Sequence, residues 1–176
     1  MLSIGRILYL LKNKDTEFYR KLGVTIGKNV HILNSHIDEG YPYLISIGDD
    51  VTITRADILA HDASTLRFLD GHVKVGKVTI GNNVFIGHGC VVLPGTVIGD
   101  NVICGANTMI NGNVPSNVVI GGNPYRIICS YDEYVKKHKE NMSESNTYST
   151  PFALKTDIEK QKMMQELDNN GIGYSK

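Results

Sequence analysis

Six histidines and three cysteines are the side chains of this 176-residue sequence best suited to proton transfer, nucleophilic attack or metal binding. His61 stands in the segment ILAHDAS, with carboxylates close by at Asp57 and Asp62. An imidazole changes charge between about pH 5 and 8, so it is the natural side chain for taking a proton from a hydroxyl near neutrality. A histidine in a loop says little alone, and its setting has to decide. The cysteines, Cys90, Cys104 and Cys129, are odd in number and form no CxxC pair. They argue against a disulfide scaffold and for a reducing compartment. No GxSxG elbow, P-loop or GxGxxG turn is present, so nucleophile-elbow and dinucleotide chemistry have no support.

The composition excludes several other classes. Hydrophobic residues make up 41% and charged residues 20%, the balance of a globular protein and not of a disordered one. Lys+Arg and Asp+Glu number 18 each, so there is no global basic field to hold nucleic acid or an anionic membrane. The apolar run Ile7 to Leu11 is too short to span a bilayer and has no small-residue cleavage site after it, so neither a transmembrane segment nor a signal peptide is expected. Together with the cysteines, this makes the cytoplasm the expected compartment.

The elements that must position His61 are legible in a six-residue period. From Ile80 the chain reads IGNNVF, IGHGCV, VLPGTV, IGDNVI, CGANTM, INGNVP. The first positions, Ile80, Ile86, Val92, Ile98, Cys104 and Ile110, are all apolar, and the fifth are small or β-branched from Val84 to Thr108. The phase recurs earlier, from Ile26, Ile47 and Ile53, and returns at Val119. Six is neither the period of an open strand nor that of a helix. It predicts short strands joined by turns, three hexapeptides to a triangular coil, with the first residue of each on the axis and stacked coils burying a continuous apolar column. The glycines and the Asn/Asp dipeptides are expected to supply the positive φ of the corners. Cys90 and Cys104 fall at inward positions and read as core, not nucleophile. Residues 36–46 and 61–79 interrupt the period as two insertions, and in a solenoid such insertions carry function. His61 sits at the start of the longer one.

The run IGNNVFIGHGCVVLPGTVIGDNVICGANTMI, followed by GNPYRII, resembles the hexapeptide-repeat acyltransferases. These are trimeric left-handed β-helix enzymes that move an acetyl group from acetyl-CoA to a sugar hydroxyl or amine. YPYLISIGDDVTIT, ILAHDAS and a tail ending in GIGY are similar to the O-acetyltransferases of surface-polysaccharide clusters. The resemblance covers residues 24 to 130 well and the tail weakly. It implies that His61 is the general base, at a corner between two subunits, with Asp62 or Asp57 holding its tautomer. It implies CoA contacts at Gly87, His88, Ala106, Asn111, Gly112 and Arg126. The Gly87–His88 backbone would stabilise the tetrahedral oxyanion, Ala106 would meet the pantetheine arm and Arg126 the CoA phosphates. Asn34 matches a residue that contacts the acceptor sugar, and Asp38 and Glu39 sit where carboxylates bind sugar hydroxyls. The sequence departs from the pattern in three places. Asn111-Gly112 replaces a Thr-Lys, Cys129 replaces an arginine, and Tyr41 replaces a Glu; Lys136, Lys137 or Lys139 would make up the missing cations. The γ-class carbonic anhydrases share the fold and bind zinc through a Gly-His with a second histidine five residues on. Here Gly87-His88 is followed by Leu93, which cannot ligate, so no metal is expected.

The resulting expectation is a mainly β chain, a left-handed parallel β-helix with two loop insertions and a C-terminal helical tail. Its segments are a helical stretch at 1–22, the β-helix acyltransferase domain at 23–129 and a helical extension at 130–176. The expected activity is acetyl-CoA-dependent O-acetylation of a sugar hydroxyl in a surface polysaccharide or its precursor, by a homotrimer with no metal and no nucleic-acid partner. An N-acetyltransferase on an amino sugar and a non-enzymatic structural solenoid are the alternatives.

Overall fold

The computed structural model describes residues 16–176, so most of the helical stretch expected at 1–22 lies outside the described residues. Contacts divide the chain into two compact units, the first ending at Tyr131 and the second comprising Asp132–Lys176.

The first unit opens with helix α1 (Thr16–Leu22), after which the chain winds in coils of three short strands. The first coil is β1 (Thr25–Ile26), β2 (His31–Leu33) and β3 (His36–Ile37). The second is β4 (Ile45–Ile47), β5 (Thr52–Thr54) and β6 (Asp57–Ile58). An antiparallel hairpin follows, β7 (His61–Asp62) with β8 (Lys74–Val75). The third coil is β9 (Val78–Ile80), β10 (Val84–Ile86) and β11 (Val91–Val92), and the fourth β12 (Val97–Ile98), β13 (Val102–Cys104) and β14 (Met109–Ile110). β15 (Asn113–Val114) and β16 (Val118–Gly121) begin a fifth coil, and β17 (Arg126–Ser130) turns back antiparallel on β16. Strands in the same place of successive coils pair in parallel and make three sheets, β1-β4-β9-β12-β15, β2-β5-β10-β13-β16-β17 and β3-β6-β11-β14. This is a left-handed β-helix. Both excursions are shorter than the sequence suggests, because His36–Ile37, Ile45–Ile47 and Val78–Ile80 stay in the coils.

The register shows why the period is six. Ile47, Ile80, Ile98 and Val114 stack in one sheet. Ile32, Ile53, Ile86, Cys104 and Ile120 stack in the second. Ile37, Ile58, Val92 and Ile110 stack in the third. All of these side chains are buried, and burying each aliphatic one contributes about 1.5–3 kcal/mol. The fifth positions Val84, Cys90, Thr96, Val102 and Thr108 are buried too, and the two threonine hydroxyls donate to the carbonyls of Ile110 and Gly105.

The corner between the first and second sheets corrects the expected role of its glycines. Positive φ falls on the second residue of the three Asx pairs, Asp50 (58°), Asn83 (53°) and Asn101 (54°), and on the asparagines in the same place of the first and last coils, Asn29 (53°) and Asn117 (63°). The glycine before the pair is needed for a different reason, close stacking. A Cβ on Gly81 would lie 2.5 Å from Asp100 Oδ1 and 2.8 Å from the Gly99 carbonyl carbon. The same corner carries a ladder from coil to coil. The N–H of Lys28 donates to Asp49 Oδ1 (2.7 Å), that of Asp49 to Asn82 Oδ1 (2.8 Å), that of Asn82 to Asp100 Oδ1 (2.6 Å) and that of Asp100 to Ser116 Oγ (2.9 Å).

The second unit contains most of α2 (Tyr131–Asn141), a parallel pair of β18 (Thr147–Tyr148) with β19 (Tyr174–Ser175), and α3 (Asp157–Asn170). A capping box starts α3, with the Thr156 hydroxyl accepting from Glu159 N–H and the Glu159 carboxylate accepting from Thr156 N–H. Gly171, at φ 70°, ends it.

Gly81→Ala is expected to destabilise the protein by about 1–3 kcal/mol, because the added methyl presses on the backbone of the next coil. A lowered urea midpoint at unchanged m-value checks this, and an unchanged midpoint would refute the stacking argument.

Candidate active site

The predicted site residues fall at two different corners of the coil. His61, Asp38, Glu39, Asn111 and Gly112 belong to the corner between the third sheet and the first, since each follows β3, β6 or β14. Asn34, Gly87, His88 and Ala106 belong to the corner between the second sheet and the third, following β2, β10 and β13. Arg126 opens β17 opposite Gly121, at the last turn of that second corner. Its side chain has no hydrogen-bond or ion-pair partner among the described residues.

At the first corner the chain builds a histidine held by a buried carboxylate. Asp38 ends β3 and is 1% exposed. Its Oδ1 accepts from the N–H groups of Gly40 (2.9 Å) and Tyr41 (3.3 Å), and its Oδ2 accepts from Ala60 N–H (2.9 Å) and pairs with His61 Nδ1. Burial alone would push this carboxyl up. The hydrogen bonds from His61, Ala60 and Gly40, with the charge of His61 itself, outweigh burial and hold it below its ordinary range. By resemblance Asp38 is expected at the acceptor sugar, with Asp62 or Asp57 holding the tautomer. The structure reverses this, because Asp38 has no accepting position left for a sugar. Asp62 instead accepts from Ser64 N–H and lies 3.5 Å from Lys74, while Asp57 faces His36 at 3.6 Å. Asp38 lies 23 residues from His61, and only the stacking of successive coils brings them together.

With Nδ1 committed to Asp38, the other ring nitrogen, Nε2, is left for a proton. His61 is held on both sides: the β7–β8 pairing sets its backbone against Val75, and the Tyr41 ring lies 5.3 Å from the imidazole, centroid to centroid. Beside it is a cavity of 440 Å3 lined by Leu59, Leu93, Pro94, Asn111 and Lys74. Leu59 N–H donates to the carbonyl of Val92, and Leu93 N–H to that of Ile110, so the cavity wall runs along the stacked coils. Lys74 is a site residue that sequence reasoning missed, and for Tyr41, expected only as the replacement of a Glu, it missed the contact with His61. Lys74 lies in an insertion without period, and the ring contact of Tyr41 follows from a turn that no repeat announces.

At the second corner, the Gly87 N–H donates to the carbonyl of Cys104. The His88 N–H has no hydrogen-bond partner among the described residues, so it is the donor of that stretch available to an oxyanion. The remaining histidines lie elsewhere. His72 Nδ1 meets the Leu69 carbonyl within the hairpin loop, and His138 meets the Tyr174 hydroxyl in the second unit. His31 and His36 are exposed on β2 and β3. Burial pushes the thiols of Cys90 and Cys104 up, away from the reactive thiolate. Among the described residues no group of three or more His, Cys, Asp and Glu is placed to hold a metal, and no helix is long and apolar enough to cross a membrane.

Residues 77–112 match the family model described as bacterial transferase hexapeptide (six repeats). Over 138 residues the chain is 40% identical to protein CapG of Staphylococcus aureus, a match that covers 74% of this chain and 79% of that one. The chain belongs to the hexapeptide-repeat acetyltransferases. It is 32% identical over 130 residues to the galactoside O-acetyltransferase of Escherichia coli strain K12, covering 66% of this chain and 64% of that one. Among solved structures, a galactoside acetyltransferase in complex with coenzyme A superposes with a TM-score of 0.51 at 29% identity, covering 65% of this chain and 58% of that chain. A hexapeptide-repeat acetyltransferase from Vibrio cholerae shares the fold, with a TM-score of 0.53 at 22% identity, covering 72% of this chain and 88% of that one. This acetyltransferase keeps the stacked coils and joins Asp38, from the first insertion, to His61, which opens the second.

The pair has a pH signature. A carboxyl held below its unfolded value contributes stability in full above that value, and the contribution is lost as pH falls through the folded one. The stability gap between wild type and Asp38→Asn is thus expected to be widest above the ordinary carboxyl value of 3.8 and to narrow on further acidification. Urea denaturation across the acid range checks this. A gap that does not narrow would contradict the hydrogen-bonded carboxylate.

Proposed function

We propose that the protein transfers the acetyl group of acetyl-CoA to a hydroxyl of a sugar in a surface polysaccharide or its precursor, with His61 as general base. The observation that carries this is the buried Asp38 carboxylate on His61 Nδ1, beside a cavity, in a chain of an acetyltransferase family. The hydroxyl acceptor rests on the likeness to a galactoside O-acetyltransferase.

Acetyl-CoA supplies the activated thioester. Neutral His61 takes the hydroxyl proton on Nε2 as the oxygen attacks the carbonyl carbon. Asp38 holds Nδ1–H and stabilises the imidazolium that results. The N–H of His88 stabilises the tetrahedral oxyanion. As the C–S bond breaks, His61 returns its proton to the departing sulfur, and no acyl-enzyme forms. Gly87, Ala106, Asn111, Gly112 and Arg126 would hold the coenzyme, and Asn34 and Glu39 the acceptor. The reaction uses no metal.

One chain does not bring these groups together. His61 and His88 lie at different corners, on either side of the third sheet. A C3 homotrimer supplies what is missing, by setting the His61 corner of one protomer against the His88 corner of the next. The three cysteines are free, which suits the cytoplasm.

Thiol release from acetyl-CoA with a panel of sugars tests the activity. His61→Ala is expected to fold and to lose turnover by about 10²–10⁴-fold, while His31→Ala and His138→Ala stay close to wild type and a chelator changes nothing. A His61→Ala enzyme within threefold of wild type would sink the assignment. Light scattering at micromolar concentration is expected to give three times the chain mass of 19.4 kDa, and a monomer would refute the shared site.

A further inference from the structure

The first insertion does more than carry Asp38. After Asp38 the chain makes a tight 3-10 turn at Pro42–Leu44, in which Pro42 is buried and Leu44 N–H donates to the Tyr41 carbonyl (3.0 Å). Tyr41 is half-buried, packs on the core and lies against His61. Tyr43 is different. Its ring is inclined at 61° to that of Tyr41, 6.3 Å away between centroids, yet the residue is 69% exposed. A single exposed aromatic residue usually means nothing. This one is carried by a turn with a buried proline, stands next to the ring that touches His61, and shares its loop with Glu39.

A pyranose has an apolar face of C–H groups and a rim of hydroxyls. An exposed aromatic ring on a loop that also carries a carboxylate complements both, and a loop whose turn is already formed loses little entropy on contact. From this arrangement we infer that Tyr43 is the stacking platform for the acceptor sugar, with Tyr41 as the backing that fixes it relative to His61. The Asp38 carboxylate then serves two ends of the reaction. Its Oδ2 holds the base, and its Oδ1, through the Gly40 and Tyr41 N–H groups, holds the loop on which the acceptor rests. The inference builds on the sugar O-acetyltransferase reading above and names the residue that recognises the acceptor.

The chain contains no tryptophan, so Tyr43→Trp creates a single fluorophore at the proposed platform. The probes are methyl glycosides of galactose, glucose and N-acetylglucosamine and their short oligomers. Titrated without acetyl-CoA, at least one is expected to change the Tyr43→Trp emission saturably. For the sugar that wild type acetylates, Tyr43→Ala is expected to raise the acceptor KM about tenfold or more, with kcat within threefold and the KM for acetyl-CoA unchanged. Tyr43→Phe is expected to keep the wild-type KM, since the face of the ring and not the hydroxyl makes the contact. An acceptor KM for Tyr43→Ala within twofold of wild type, or a Tyr43→Trp emission indifferent to a sugar that is acetylated, overturns the platform and leaves the transferase reading standing. A probe that shifts the emission saturably while no probe is acetylated overturns the transferase reading and keeps the platform.

Discussion

Each coil of this protein must lie directly on the next, and everything else in the structure follows from that constraint. Parallel pairing passes backbone hydrogen bonds from coil to coil, so a residue's neighbours are the residues above and below it, 18 or more positions away in most of the chain. The constraint selects isoleucine and valine on the axis, glycine where a Cβ would strike the next turn, and an Asx pair where the chain must bend through positive φ. It also leaves one freedom. At a corner the chain can leave the stack and return, provided that the strands on either side keep register.

Both insertions use that freedom at the same corner, one coil apart. The first leaves after β3 and returns at β4, and the second leaves after β6 and returns at β9. Because β3 pairs with β6, the two departure points sit one on the other, which sets Asp38 under Ala60 and His61. The imidazole is thus oriented by coil register and not by local sequence. Its carboxylate belongs to one excursion and its backbone to another, and the rigid column of side chains between the coils holds them in place.

The same physics divides what the residues alone can tell. The column Ile80, Ile86, Val92, Ile98, Cys104 and Ile110 was readable because one side chain repeats one environment, and the position of His61 was readable because a period advertises its own interruption. The shape of each interruption was not. Asp38 looked like an exposed acid in a polar loop, since nothing near it in sequence shows that Ala60 and His61 lie above it. Asp62, next to His61 in sequence, was the natural partner by proximity. Alternation in β7 turns it to Ser64 and Lys74 instead. The corner glycines divide in two. Gly89, Gly95 and Gly112 take the positive φ expected of them, whereas at Gly27, Gly48, Gly81 and Gly99 the conformation is ordinary and it is the next coil that excludes a side chain.

A stack of identical layers has no internal reason to stop, and each end offers three unpaired strand edges to another copy. The two ends of this β-helix are finished differently. At the first coil α1 lies across the axis, with Tyr19 fully buried, its hydroxyl donating to the Ser35 carbonyl and accepting from Ile37 N–H, and with Thr16 Oγ1 donating to the Val30 carbonyl. At the last coil β17 turns back on β16 in the opposite sense and covers that edge of the second sheet, while β15 and β14 end the other two. These two closures count the coils. They convert a pattern that could grow into a fibre into an object of fixed height, with a defined number of corners at which chemistry can be placed.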